Sequence, residues 1–212
     1  LEVIMERNPL PFITGTICAH NCMSKCTRNF YEEPVHIRDN KLKAAMGGYE
    51  DVLNSLNPAE KNGKKAAVIG GGPAGMACAY YLAKAGTEVT LYEKTDSLGG
   101  VVRHVIPEFR IPAASVEKDA SFLRKLGADI QLNVEIENAQ ALRKQGYDAV
   151  ILAVGASKPG ELSLEKGGVI NALEFLKEFK EKDGDVMIGK NVAVIGGGNT
   201  AMDTARAAKR TK

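Results

Sequence analysis

No run of apolar residues in this 212-residue sequence approaches the ~18 that a membrane-spanning helix needs, so no membrane is expected as a partner. Neither sign of charge dominates. Twenty-eight Lys and Arg stand against 26 Asp and Glu, interspersed, and a net charge of +2 gives no reason to expect nucleic acid. A basic, then apolar leader with a small-residue cleavage site is lacking, and the expected location is cytoplasmic. Four cysteines are too few for a disulfide framework in a chain of this size. With 44% apolar and 25% charged residues the composition is that of an ordinary globular protein, long enough for one full domain and part of another. The opening at Leu1 and the close inside a helical pattern, "TARAAKRTK", are those expected of a piece of a longer polypeptide.

From Lys65 the chain alternates short apolar runs with helical patterns. Ala66–Ile69 reads as a strand, Pro73–Ala85 as a helix with proline in its first turn and Gly86 as its stop, and Glu88–Tyr92 as the next strand. A helix is expected over Ala113–Leu126, ended by Gly127. Strands follow in "ADIQLNVEI" and "YDAVILAVGAS", the latter closing in a small-residue turn at Gly155 and Ala156. Asn171 can cap an amphipathic helix with Leu173, Leu176 and Phe179 on one face, and Asn191–Ile195 reads as a last strand before a helix from about Thr200. This is an α/β pattern with a mostly parallel sheet. Before it, the segment to about Gly48 has little strand character, and "MGGYEDVLNSLNPAEKNGKK" reads as a polar connection.

Two glycine-rich turns carry the chemistry. Gly70, Gly72 and Gly75 fit G-x-G-x-x-G between a strand and a helix opened by Pro73 and Ala74. The first glycine permits the tight turn, the second lets backbone approach a pyrophosphate, and the third lets helix pack on strand. Glu93, at the end of the next strand, stands where an acid should meet the ribose hydroxyls. Gly99, Gly100 and Arg110 in "GGVVRHVIPEFRIP" favour FAD over NAD, because they extend the reach of the site along a doubly phosphorylated ligand. The second turn, Gly196, Gly198 and Ala201, fits G-x-G-x-x-A, with Asn199 and Thr200 able to add side-chain bonds to phosphate. The strand that would tell NAD(H) from NADP(H) is not in this sequence. Two turns predict two dinucleotide-binding domains, the second incomplete, and a protein that passes electrons between nucleotides. No cysteine pair lies beside either turn, so no redox disulfide is expected, and Cys78 inside the first helix reads as a packing residue.

Cys18, Cys22 and Cys26 form C-x3-C-x3-C in "TGTICAHNCMSKC". Clustered thiolates suit an iron–sulfur site. Zinc would need a fourth ligand for which the spacing of His20 and His36 is poor. A radical-SAM site would need a shorter final spacing.

Taken in order, "TGTICAHNCMSKC", "IGGGPAGMACAYYLAKAGTEVTLYEK", "GGVVRHVIPEFRIP", "DAVILAVGA", "ALEFL" and "VIGGGNTAMDTAR" resemble the small, NADPH-oxidising subunit of bacterial glutamate synthase and the N-terminal half of dihydropyrimidine dehydrogenase. Within that family, "NFYEEPVHIRDNKLKAA" is most similar to the long flavin and iron–sulfur subunits of the selenate reductase type. The resemblance covers nearly the whole chain. It implies a partial helical iron–sulfur domain over 1–48, an FAD-binding Rossmann-like domain over 49–160, and the start of an NAD(P)H-binding domain over 161–212. It implies FAD held by Gly72–Ala74, Glu93, Lys94, Gly99–Val101, Arg110 and Ile136, with Gly155 at the adjoining turn, and the nicotinamide nucleotide held from Gly198 to Ala201, with Asp203 and Arg206 structural. It also implies two [4Fe-4S] clusters, Cys18 and Cys22 serving one and Cys26 the other, the remaining cysteines lying before Leu1. Lys41 stands where the family often places a Gln or Glu ligand seven residues after a proline, here Pro34. The implied partner is a catalytic large subunit or a fused reductase domain. No side chain of this segment is assigned as a general acid or base. The rival readings are a flavin-dependent ferredoxin reductase or monooxygenase without clusters, and a non-catalytic nucleotide-binding scaffold with a zinc-binding N-terminal module.

Overall fold

The structure, a computed structural model, describes residues 1–156, 160 and 168–212. The boundary expected between 160 and 161 and the Ser157 end of the expected "YDAVILAVGAS" strand fall at or within the residues outside that description.

The first segment is helical: α1 (Glu2–Met5), α2 (Pro11–Ile17) and, after a connection that holds two short 3-10 turns and the three clustered cysteines, α3 (Ile37–Ser55). Pro11 starts α2 at its first position, where a missing N–H costs nothing. The expected polar connection is corrected here, since α3 continues as far as Ser55 and runs through the point expected to separate 1–48 from 49–160. Its buried stripe explains why: Ala45, Val52 and the half-buried Tyr49 and Leu53 recur at helical spacing beneath polar neighbours. Tyr49 stacks edge-on between Phe12 and Phe122, with ring centroids 5.4 and 5.6 Å apart, and its hydroxyl lies 2.9 Å from Ser121 Oγ. The N-terminal helices thus share one core with the helices that cover the sheet.

Next come β1 (Lys65–Ile69), α4 (Pro73–Lys84), β2 (Glu88–Tyr92), α5 (Val101–His104), α6 (Ala113–Lys125), β3 (Asp129–Gln131), α7 (Ala139–Lys144) and β4 (Ala149–Leu152). The four strands form a parallel sheet in the order β3-β2-β1-β4. Helices α4 and α6 cover one face, while α7, with Leu142 buried against Ala67 and Ile69, covers the other. Gly86 and Gly127, both at φ +81, end α4 and α6 as the sequence predicts. The strand expected over 128–136 is shorter. Its side chains keep alternating in exposure as far as Glu137, but Asn133 turns to φ +59 and breaks the extended backbone after Gln131. Chain order reverses between β1 and β4, and in open α/β sheets such a switch point is where ligands bind, outside the carboxyl ends of the strands.

The last described part holds α8 (Ala172–Glu181) and α9 (Asn199–Ala208). Asn171 Oδ1 accepts the Leu173 N–H at 2.9 Å, the expected cap. Phe175 and Leu176 pack with Val186 and Ala207 in a small second core. The strand expected at Asn191–Ile195 does not form. No described strand lies beside it to accept its hydrogen bonds, and Val192 and Ile195 are exposed.

Candidate dinucleotide site

The first turn leaves β1 at Gly70, whose φ of +105 is open to glycine and strained for other residues. A Cβ there would stand 2.4 Å from the Ala153 carbonyl oxygen, because the end of β4 passes directly behind the turn on its way to Gly155 (φ +72). Gly72 caps α4 in extended conformation, and the first helical N–H to find an acceptor is that of Met76, on Gly72 O at 2.9 Å. The N–H groups of Ala74 and Gly75 are therefore free of intrahelical partners and, with the helix dipole, favour an anion. Pro73, which has no N–H, loses nothing as the first helical residue. The third glycine is fixed by packing, since a Cβ on Gly75 would fall 1.8 Å from Gly70 O.

A second loop closes over the first. Gly99 N–H donates to Gly71 O at 2.8 Å, and a Cβ on Gly100 would come 3.0 Å from Gly72 Cα. Gly99 (φ +118) and Gly100 (φ +53) make this possible, and Val101 follows, exposed, as the first residue of α5. Glu93 is buried at 6% exposure. Its Oε2 accepts Gly71 N–H at 2.6 Å, and its Oε1 accepts both the N–H and the O–H of Thr95 at 2.9 Å. Lys94 points to solvent, 3.9 Å from Glu135. Ile136 lies on the far face of the sheet, packed with Tyr92 and Tyr147 beneath α7. Beside it the Tyr92 phenol, desolvated and hydrogen-bonded at 2.9 Å to the Tyr147 hydroxyl, has its pKa pushed up to about 12. A pyrophosphate fits this cradle. It is walled by backbone and glycine, with free N–H groups at one end and a carboxylate at the other.

The second turn repeats the backbone of the first. Gly196 has φ +127 and Gly198 caps α9 at φ −84, ψ 177, against φ −72, ψ −180 at Gly72. Met202 N–H bonds Gly198 O at 3.1 Å, as Met76 does in the first turn. Alanine takes the third position here, and a Cβ added to Gly196 would sit 3.4 Å from Ala201 Cβ, an ordinary contact. Asn199 and Thr200 open the helix and are exposed, as are Gly196 to Gly198.

The sequence profile of the family described as Pyridine nucleotide-disulphide oxidoreductase matches residues 64–212, a span that contains both turns. The chain belongs to that family. Among individual proteins it is 40% identical over 215 residues to YgfK of Escherichia coli (strain K12), covering 99% of this chain and 21% of that one. It is 38% identical to the NADPH-Fe(3+) oxidoreductase subunit beta of Geobacter sulfurreducens (strain DL-1 / KN400), covering 99% and 33%. It is 34% identical to the glutamate synthase [NADPH] small chain of Bacillus subtilis (strain 168), covering 100% and 46%. A solved 2-naphthoyl-CoA reductase is similar over 79% of this chain and 25% of its own, at 29% identity and a TM-score of 0.55. The chain spans less than half the length of each of these proteins. The resemblance to the glutamate synthase small subunit holds, and the enzyme class expected from the two turns, an NAD(P)H-dependent oxidoreductase, is the class this family comprises. No helix among the described residues is long and apolar enough to cross a membrane.

Within this family member, the segment after Gly100 is clamped to α8 and α9. Arg110 Nη1 stands 3.3 Å from Asp203 Oδ1, the Lys180 ammonium donates to Ile106 O at 2.8 Å and lies 3.5 Å from Glu108, and the Arg210 guanidinium sits 4.6 Å from the Phe109 ring centroid. Burial lowers the Lys180 pKa against the pull of Glu108. Arg110, read in the sequence as a flavin contact, is thus seen on the helix of the second turn.

Cys18 caps the end of α2, and Cys22 and Cys26 flank the first 3-10 turn; all three are free, with Cys22 exposed and Cys18 and Cys26 half-buried. The Cys26 thiol accepts backbone N–H bonds from Val35 and Arg28, which lower its pKa and favour the thiolate. Among the described residues no three His, Cys, Asp or Glu side chains are gathered to hold one metal ion. Two residues that matter structurally escaped the sequence reading. Asp119, fully buried on α6, accepts the N–H groups of Phe12 (3.1 Å) and Ile13 (2.8 Å) and so caps α2 from another helix. His104 is joined to Glu93 through Thr95.

Proposed function

We propose that this chain is the electron-entry segment of a larger oxidoreductase, in which NAD(P)H bound at the Gly196 turn reduces FAD bound at the Gly70 turn and electrons leave through [4Fe-4S] clusters ligated in part by Cys18, Cys22 and Cys26. The observation that carries this reading is the repetition of one anion-binding backbone at Gly70–Gly75 and Gly196–Ala201, joined through the clamp between the 105–110 loop and α8–α9. Flavin bound there would supply the means of taking a hydride and releasing electrons singly to one-electron acceptors.

The residues of this chain bind and orient. Ala74 and Gly75 N–H groups meet pyrophosphate, Glu93 meets the adenosine ribose, and Gly99 and Gly100 let the second loop close over the phosphates. Val101 continues that loop, Arg110 ties the flavin side to the nicotinamide side, and Gly198 to Ala201 receive the second pyrophosphate. Lys94 stands beside Glu93 at the ribose, Ile136 offers its backbone on the adenine side, and Gly155 closes the turn behind Gly70. Cys18 with Cys22 would hold one [4Fe-4S] cluster and Cys26 would contribute to the other, an arrangement that suits three thiols strung along a loop rather than drawn to one centre. The acceptor beyond them is a large catalytic subunit or a fused reductase domain, and the setting is the cytoplasm.

An anaerobic ultraviolet–visible spectrum tests the reading. Adding FAD should give structured, bound-flavin bands, and NADPH or NADH should then bleach them. Flavin that binds and is not bleached by either nucleotide would leave a scaffold. Bleaching in a complete protein that contains no iron would leave a cluster-free reductase.

A further inference from the structure

Glu93 is held from a direction that the two glycine turns alone do not explain. Its Oε1 takes two hydrogen bonds from Thr95, and Thr95 Oγ1 lies 3.1 Å from His104 Nε2, which is also 3.3 Å from the Ser97 carbonyl oxygen. The donors can be assigned by elimination. A carboxylate and a carbonyl only accept, and Thr95 has a single hydroxyl proton to give. It reaches both Glu93 Oε1 (2.9 Å) and Ser97 O (3.0 Å), and the charged acceptor is the stronger. Ser97 O and the Thr95 oxygen are then served by a proton on His104 Nε2. Donation runs from His104 to Thr95 to Glu93, a chain in which each bond polarises the next.

Lone-pair arithmetic gives the chain its meaning. Oε1 of Glu93 has both acceptor sites filled by Thr95, whereas Oε2 has one filled by Gly71 N–H and one uncommitted, beside the glycine cradle. His104 closes α5, the helix that begins directly after Gly99 and Gly100, so the relay also ties the second loop to the first.

We propose that His104 is a positioning residue for the adenosine ribose of the flavin nucleotide, fixing the Glu93 carboxylate through Thr95 so that the open site on Oε2 meets a ribose hydroxyl. The proposal rests on the reading of the Gly70 turn as an FAD site. It assigns His104 no contact with the ligand.

Quenching of flavin fluorescence on the protein stripped of flavin tests it with two ligands, FAD and an FAD analogue lacking the 2′ and 3′ hydroxyls of the adenosine ribose. His104→Leu should weaken FAD by about tenfold, the worth of one hydrogen bond to a charged group. It should leave the dideoxy analogue within about twofold, as independent sites do. His104→Gln, which keeps a donor, should recover FAD binding. Should His104→Leu fail to fold, Thr95→Val carries the same test. Equal losses with both ligands, or no loss with FAD, would overturn the role of His104. A wild-type protein that binds the two ligands equally would instead overturn the contact between Glu93 and ribose, and with it the reading on which the proposal stands.

Discussion

Arg110 Nη1 lies 3.3 Å from Asp203 Oδ1, and this pair joins the loop that follows the first glycine cradle to the helix that opens at the second. Asp203 is only 5% exposed, and its Oδ1 makes no well-aligned hydrogen bond, so Arg110 is what compensates its charge. Breaking a buried pair from one side costs more than removing both charges, because the survivor is stranded. Arg110→Met should therefore destabilise the protein by roughly 2–3 kcal/mol, and Asp203→Asn by about 1 kcal/mol. The double variant should be more stable than the sum of the two implies. Urea denaturation of the four proteins measures the coupling, and strict additivity would show that the two side chains ignore each other.

The glycines of the two turns separate packing from binding. A Cβ at Gly75 has no room, 1.8 Å from Gly70 O, so Gly75→Ala should push α4 away from β1 and cost on the order of 1–3 kcal/mol, with FAD binding lost as well. Gly198 has nothing within 4 Å and an ordinary φ of −84. Gly198→Ala should leave the melting temperature unchanged and weaken NADPH or NADH alone, through a methyl group placed where phosphate must approach. Thermal melts with nucleotide titrations distinguish the two behaviours, and a destabilised Gly198→Ala would contradict the open second turn.

Cys26 and Cys78 make opposite thiols. Backbone N–H bonds from Val35 and Arg28 lower the pKa of Cys26, and burial raises that of Cys78 inside α4. In protein freed of iron, Cys26 should be alkylated by iodoacetamide well before Cys78 at neutral pH, because the thiolate is the nucleophile. Peptide mass spectrometry over a time course reads the order directly, and faster labelling of Cys78 would reverse the assignment.

Much of this was legible beforehand because backbone geometry leaves a strong residue signature. Gly70, Gly75 and Gly100 stand where a Cβ or a negative φ is excluded, and Gly86 and Gly127 stop helices where φ must be positive. The Asn171 cap was readable for the same reason, since the side chain bonds its own neighbourhood. What sequence did not reveal depends on contacts between distant residues. The extension of α3 through Gly47 and Gly48 is paid for by the Phe12–Tyr49–Phe122 packing, and two adjacent glycines argue against helix locally. Asn191–Ile195 has every local mark of a strand, yet a strand needs a neighbour. The Arg110–Asp203 pair spans 93 positions, and the His104–Thr95–Glu93 chain depends on the fold of a loop.

Asp119 caps a helix that begins 108 positions before it, and burial sets how that cap responds to pH. Loss of hydration raises its pKa to about 7, against the pull of the Ile13 and Phe12 N–H groups. In the unfolded chain the group titrates near its ordinary value of 3.8. Between roughly pH 4 and pH 7 the folded state therefore holds a proton that the unfolded state has released, so stability must fall as pH rises, by at most about 1.4 kcal/mol per unit. Below that window both states are protonated and above it both are ionised, so this slope should vanish at each end. Asp119→Asn should remove the slope and, with one oxygen left for two N–H groups, lower stability at pH 5 as well. Urea midpoints from pH 4 to pH 8 for the two proteins decide the matter: a wild-type slope of the opposite sign that Asp119→Asn abolishes would mean that the two N–H bonds outweigh burial and hold the carboxylate ionised.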